Sequence, residues 1–170
     1  MAVTRPDEIK DPAERIANPT LDRDGTLILD IDHYAPFLLN AVSSAWGRKT
    51  SAIYRRDFGL GLVDWRVMAM LNIEPGITAS RICDVIRLDK AAVSRSLKQM
   101  LEKGLLHFEQ PSNDPRKRLW RLSEAGQTSH EAVLGVALAC ERDLVDGISP
   151  SELDTFLRVM RQMLSNIDPK

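Results

Sequence analysis

The tightest constraint on this chain is the three-residue break Arg87–Asp89, which separates two helical patterns, ASRICDVI and KAAVSRSLKQMLE. Pro75 and Gly76 end the pattern before it, and Thr78 is placed to cap the first of the two helices, with Ile82, Val85 and Ile86 facing inward. Asp89 caps the second. At about 100° per residue, Val93, Leu97, Met100 and Leu101 share one arc, and Ala91, Ser94, Arg95, Lys98 and Glu102 share the opposite one. Gly104 stops this helix. Then come two short strand-like runs, LLHFEQ and RLWRL, joined by PSNDPRK, which signals a hairpin with an exposed, basic tip. Ser123 is placed to cap the next helix.

The flanks are helical. Tyr34, Phe37, Leu38, Ala41, Val42, Ala45 and Trp46 follow helical spacing, so a long amphipathic helix with Asp30 or Asp32 as N-cap runs to about Tyr54. Gly59 and Gly61 break it before LVDWRVMAMLNI, a helix apolar around much of its circumference and therefore central. Two helices close the chain. The last opens with the capping box Ser149 to Glu152 and aligns Leu153, Phe156, Leu157, Met160, Leu164 and Ile167 in a stripe that needs a partner. The resulting division is a flexible N-terminal arm at 1–26, a helical dimerisation region at 27–58 and 124–170, and a lobe at 59–123 between its parts. The arm reads as polar, with Pro6, Pro12 and Pro19 and no apolar period.

Bulk properties narrow the function classes. With 170 residues and 44% hydrophobic content the chain can bury one substantial core. No apolar run approaches the ~20 residues that span a bilayer, and the N-terminus lacks a signal-peptide core, so the expectation is a cytoplasmic protein without a membrane partner. Cys83 and Cys140 lie far apart and read as small buried hydrophobes, not as metal ligands. His33, His107 and His130 are scattered, and no phosphate loop, nucleophile elbow or paired carboxylate accompanies them. No catalytic residue, metal or cofactor is therefore assigned.

The net charge of −1 is an average of unlike parts. From Arg87 to Arg121 nine Lys or Arg stand against four acids, a balance of +5 that leaves −6 for the rest. A basic lobe on an acidic body suits a polyanion-binding surface, and a solvated mixed-charge face is the alternative. Two short helices, a three-residue turn and a hairpin have the order of a winged helix-turn-helix, so the fold class is mainly α with a small β-hairpin wing. The second helix would enter a DNA major groove. That role asks for a face without bulky apolar groups and with donors for base edges and phosphates. Lys90, Ala91, Ala92, Ser94, Arg95 and Lys98 meet it: Arg95 as a bidentate partner of guanine, Lys90 and Lys98 on phosphates, Ser94 on either. Arg116, Lys117 and Arg118 at the wing could reach the neighbouring minor groove.

Three segments make a resemblance specific: DWRVMAML, ITASRICDVIRLDKAAVSRSLKQMLEKGLL and the wing run NDPRKRLWRLSEAG. Their order and spacing resemble the MarR family of bacterial transcription regulators, over roughly residues 34 to 165. The resemblance implies a homodimer with the first, fifth and sixth helices at its base, acting on a double-stranded, pseudo-palindromic operator, more commonly as a repressor. It also implies a small aromatic acid or phenolic effector in a cleft among the first, second and fifth helices, for which His33, Trp46, Arg48 and Trp65 are the candidates. Core packing is the competing role of both tryptophans. Family members that sense oxidants carry a cysteine near the start of the first helix, and this chain has none there. The rival class is a winged-helix adaptor that binds protein and not DNA.

Overall fold

The computed structural model describes residues 13, 18–112 and 114–168. Its elements are β1 (Thr20–Arg23), β2 (Thr26–Leu29), α1 (Ala35–Phe58), α2 (Leu62–Ile73), α3 (Ala79–Ile86), α4 (Lys90–Glu102), β3 (Leu106–Glu109), β4 (Leu119–Leu122), α5 (Glu124–Leu144) and α6 (Pro150–Ile167). The chain divides into two compact units, residues 1–52 and 53–170.

In the first unit, the stretch read as the end of a flexible arm is a hairpin instead. β1 pairs antiparallel with β2 through the two-residue turn Asp24–Gly25, both with positive φ, 53° and 78°. A two-residue Asp-Gly loop with left-handed backbone at both positions matches the twist of the strands it joins, which is why this dipeptide closes hairpins. The rest of the arm, apart from Ala13, Asn18 and Pro19, lies outside the described residues. Asp30, read as a helix cap, sits in the turn ahead of α1, where it accepts from the Asp32 amide at 3.2 Å and pairs with His33 Nδ1 at 2.8 Å. α1 begins at Ala35 and runs four residues beyond the expected end, to Phe58.

The second unit is built on α2. Val67, Met68 and Leu71 are buried there with Ile82 of α3, Val93, Leu97 and Met100 of α4, Leu106 and Trp120 of the wing, and Val133 of α5. Each such side chain contributes about 1.5–3 kcal/mol on leaving water. Local chemistry sets the helix starts: the side chains of Thr78, Asp89 and Ser123 accept from the amides of Arg81, Ala92 and Gly126. Ser149 and Glu152 form the expected capping box. Val85 departs from the reading and is 41% exposed. Ala79, Ile82, Cys83 and Ile86 form the packed arc of α3, and Val85 stands about 60° beyond Ile82 at helical spacing.

The wing is a two-stranded antiparallel sheet in which Leu106 faces Leu122 and Phe108 faces Trp120. It is tied back to the residues before α3: Trp120 donates its amide to Ile77 O and accepts from Gly76 N, both at 2.9 Å. α6 buries none of its residues within the chain. No helix among the described residues is long and apolar enough to cross a membrane.

Candidate nucleic-acid interface

The outward arc of α4 is small and basic. Lys90, Ala91, Ser94, Arg95 and Lys98 are exposed and Ala92 is half-buried. Among the described residues no acid pairs with Lys90 or Arg95, and Lys98 lies 3.9 Å from Glu102, a loose solvent-exposed contact of little energetic weight. The inward arc is as read, with Val93, Leu97 and Met100 buried. It also carries Ser96, which was not read. Ser96 donates its hydroxyl to Asp64 Oδ1 of α2 at 2.5 Å, and Asp64 Oδ2 accepts from the Gly61 amide at 2.7 Å. One buried carboxylate thus caps α2 and fixes the rotation of α4 about its own axis.

The wing loop is organised by Asp114. Its side chain accepts from the Arg116 amide at 3.1 Å and its carbonyl from the Lys117 amide at 3.1 Å. Arg118 lies over the Phe108 ring, 4.5 Å from its centre, so this guanidinium is held in place by a cation–π contact. Arg116, Lys117 and Arg118 are all exposed. They meet Lys90, Ser94 and Lys98 across a single groove of about 510 Å³, whose far wall is the start of α3 with Thr78 and Ser80. Six of the nine residues proposed to contact DNA are therefore gathered on one surface. Arg95, Ala91 and Ala92 belong to the same helix but do not line the groove. Thr78 and Ser80 were missed, because their contribution depends on how α3 sits against the wing.

The four effector candidates are divided between the two units. His33, Trp46 and Arg48 belong to residues 1–52, with His33 paired to Asp30, Trp46 half-buried and Arg48 exposed. Trp65 belongs to the second unit, where it stacks on His130 with ring centres 5.3 Å apart and tilts against Tyr54 at 6.1 Å. The groove beside α4 contains none of the four. Cys83 is half-buried and Cys140 buried, both as free thiols. Among the described residues no three His, Cys, Asp or Glu side chains come together as a metal site.

His130 is the one buried histidine among the described residues, and its Nδ1 has no hydrogen-bond partner. Burial pushes its pKa below the ordinary histidine value, opposed by the nearby Glu131 carboxylate. In the unfolded chain the group titrates near ~6.5, so the fold favours the neutral ring. Its contribution to stability is complete above that pH and is lost as pH falls toward the depressed folded value. Urea unfolding at pH 7.5 and 5.5 should show a larger loss of stability in the wild type than in His130→Phe, which keeps the stack on Trp65 without the titration. Parallel pH profiles would show that His130 does not set this pH dependence.

A helix-turn-helix whose second helix and hairpin line one basic groove defines the winged helix-turn-helix class. The MarR family pattern matches residues 58–117. The transcriptional regulator HosA of Escherichia coli O127:H6 is 23% identical over 101 residues, 59% of this chain and 75% of that protein. A MarR/EmrR family transcriptional regulator from Acinetobacter sp. ADP1 superposes with a TM-score of 0.77 at 28% identity, covering 84% of this chain and all of that one. A mutant MarR from E. coli, complexed with operator DNA, superposes with a TM-score of 0.68 at 20% identity, over 75% of this chain and 91% of that one. The chain is similar to the MarR family of winged helix-turn-helix regulators over residues 58–117, and it shares its fold with solved members of that family. Its relatives are transcriptional regulators, not enzymes.

Proposed function

We propose that this protein is a sequence-specific DNA-binding transcription regulator that acts in the cytoplasm as a homodimer on a pseudo-palindromic operator, most simply as a repressor. The observation that carries the reading is the groove in which Lys90, Ser94 and Lys98 of α4 meet Arg116, Lys117 and Arg118 of the wing. In this reading residues 59–123 form the DNA-binding lobe. Arg95 reads a guanine edge, Ala91 and Ala92 allow the backbone close to the bases, Lys90 and Lys98 neutralise phosphates, and the wing cations follow the adjacent minor groove. The operator-bound relative supports this use of the fold.

Dimerisation through 27–58 and 124–170 is supported by the apolar surface those segments leave open. Phe37, Leu38 and Val42 of α1 and Phe156, Leu157, Leu164 and Ile167 of α6 are all more than 40% exposed. Surfaces of that kind mark association sites. A two-fold dimer places its half-sites about one helical turn apart, ~10 bp. Release by a small aromatic acid or phenol belongs to the same reading, with Trp46 and Trp65 as stacking faces, Arg48 as the carboxylate partner and His33 beside them. Tryptophan fluorescence during a benzoate titration tests that part.

The DNA reading is tested by titrating the region upstream of the protein's own gene at several salt concentrations. Arg95→Ala should weaken operator binding by about 1–3 kcal/mol per half-site and relax discrimination at one base pair. Lys98→Ala should weaken all sequences alike and lower the salt slope by about one per protomer. Undiminished affinity in Arg95→Ala, or no binding at low salt, would favour the protein-binding adaptor.

A further inference from the structure

A two-stranded hairpin standing alone is marginally stable in water and depends on covering its apolar surface. The register of β1 and β2 sets Leu21 beside Ile28 on one face, and Leu27 beside Asp22 with Leu29 beside Thr20 on the other. Leu21 and Ile28 are half-buried. Leu27 is 73% exposed, Leu29 49% and the following Ile31 45%. The hairpin is thus apolar on both faces, and one face is uncovered.

Charge selects what covers it. Asp22, Asp24 and Asp32 are exposed on this segment, while Asp30 is buried against His33, and Arg23 is the lone Lys or Arg from Thr20 to Tyr34. A second hairpin would meet like charge. α6 offers cations beside an apolar edge: along its stripe Leu157 and Leu164 lie exposed, and Arg161 and Arg158 follow on the adjoining arc with Asp154 between them, all exposed. We infer that the β1–β2 hairpin is a clasp that docks on α6 of a second copy of this chain. Leu27 and Leu29 pack at the Leu157–Leu164 edge and Asp22 faces Arg161. The inference rests on the dimer reading above and adds to it a contact made by a hairpin on a helix.

Sedimentation equilibrium of the full chain tests it. Leu27→Asp combined with Leu29→Asp should raise the dimer dissociation constant at least tenfold while leaving the far-UV circular dichroism unchanged, since both side chains are exposed. Asp22→Lys and Arg161→Glu should each weaken the dimer, and mixing the two variants should restore it through the reversed ion pair. A wild-type dimer that neither the leucine pair nor the charge reversals weaken overturns the clasp and leaves the dimer reading in place. A wild type that sediments as a monomer at every concentration overturns both.

Discussion

Gly126→Ala is expected to destabilise the protein by about 3 kcal/mol or more, although it replaces the poorer helix former with the best one. Gly126 lies in the first turn of α5, where helix propensity alone would favour Ala by up to about 1 kcal/mol. A Cβ at this position would stand 2.0 Å from the Leu105 carbonyl oxygen and 3.0 Å from its carbon. Backbone atoms cannot rotate aside as a side-chain tip can. The Leu105 carbonyl is also held in place, because it accepts from the Ser123 amide at 2.9 Å. Ser123 adds a second tie, donating its hydroxyl to Gly104 O at 2.7 Å while its oxygen caps Gly126 N at 3.0 Å. Relief of the clash would pull α5 away from the turn that starts the wing, and overpacking of that kind commonly costs about 1–3 kcal/mol or more. Urea unfolding at fixed protein concentration should show the midpoint falling by about 1–2 M. A variant as stable as the wild type would mean that α5 does not approach Leu105 this closely.

Asp64→Ala should cost about 3 kcal/mol, and the loss should be shared with Ser96. Asp64 is only 8% exposed and both of its oxygens are engaged, one by the Gly61 amide and one by the Ser96 hydroxyl. Hydrogen bonds to a charged acceptor are worth about 1.5–3 kcal/mol each, and removing the acceptor leaves two donors short of a partner. Asp64→Asn should be milder, about 1 kcal/mol, because the Ser96 hydroxyl can turn and accept from the new amide. A double-mutant cycle with Ser96→Ala should give a coupling of at least about 1 kcal/mol. On the DNA reading, operator affinity should fall with Asp64→Ala even where the protein stays folded, since Ser96 sits between Arg95 and Leu97. Additive effects of the two substitutions would break the proposed link between α2 and the orientation of α4.

Much of the helix-turn-helix and wing was legible because its signals are local. Thr78, Asp89 and Ser123 cap helices through side-chain geometry that involves only the next three residues, and Gly104 takes the left-handed backbone that its place after α4 requires. The inward arc of α4 followed from period alone. What escaped depended on pairs distant in sequence. Ser96 lies three residues after Val93 and four before Met100, so a hydroxyl on a buried stripe was the available signal that a partner exists. Which partner could not be read before α2 and α4 were brought together. The β1–β2 hairpin was missed for a different reason: its strands are four residues long, and the prolines before them suggested an unstructured arm. The Asp24–Gly25 pair between TLDR and TLIL was the signal that outweighs them.

α6 fully buries none of its residues and only half-buries Leu153, Val159 and Met160 within its own chain, and isolated helices of this length are marginal in water. On the dimer reading, association supplies what a single chain lacks, and the folded population depends on how much protein is present. If the operator is read by two copies, its occupancy at low expression rises with about the square of chain concentration. The bare face of α6 would thereby make gene dosage a control variable, giving a threshold below which the regulated promoter is left unattended.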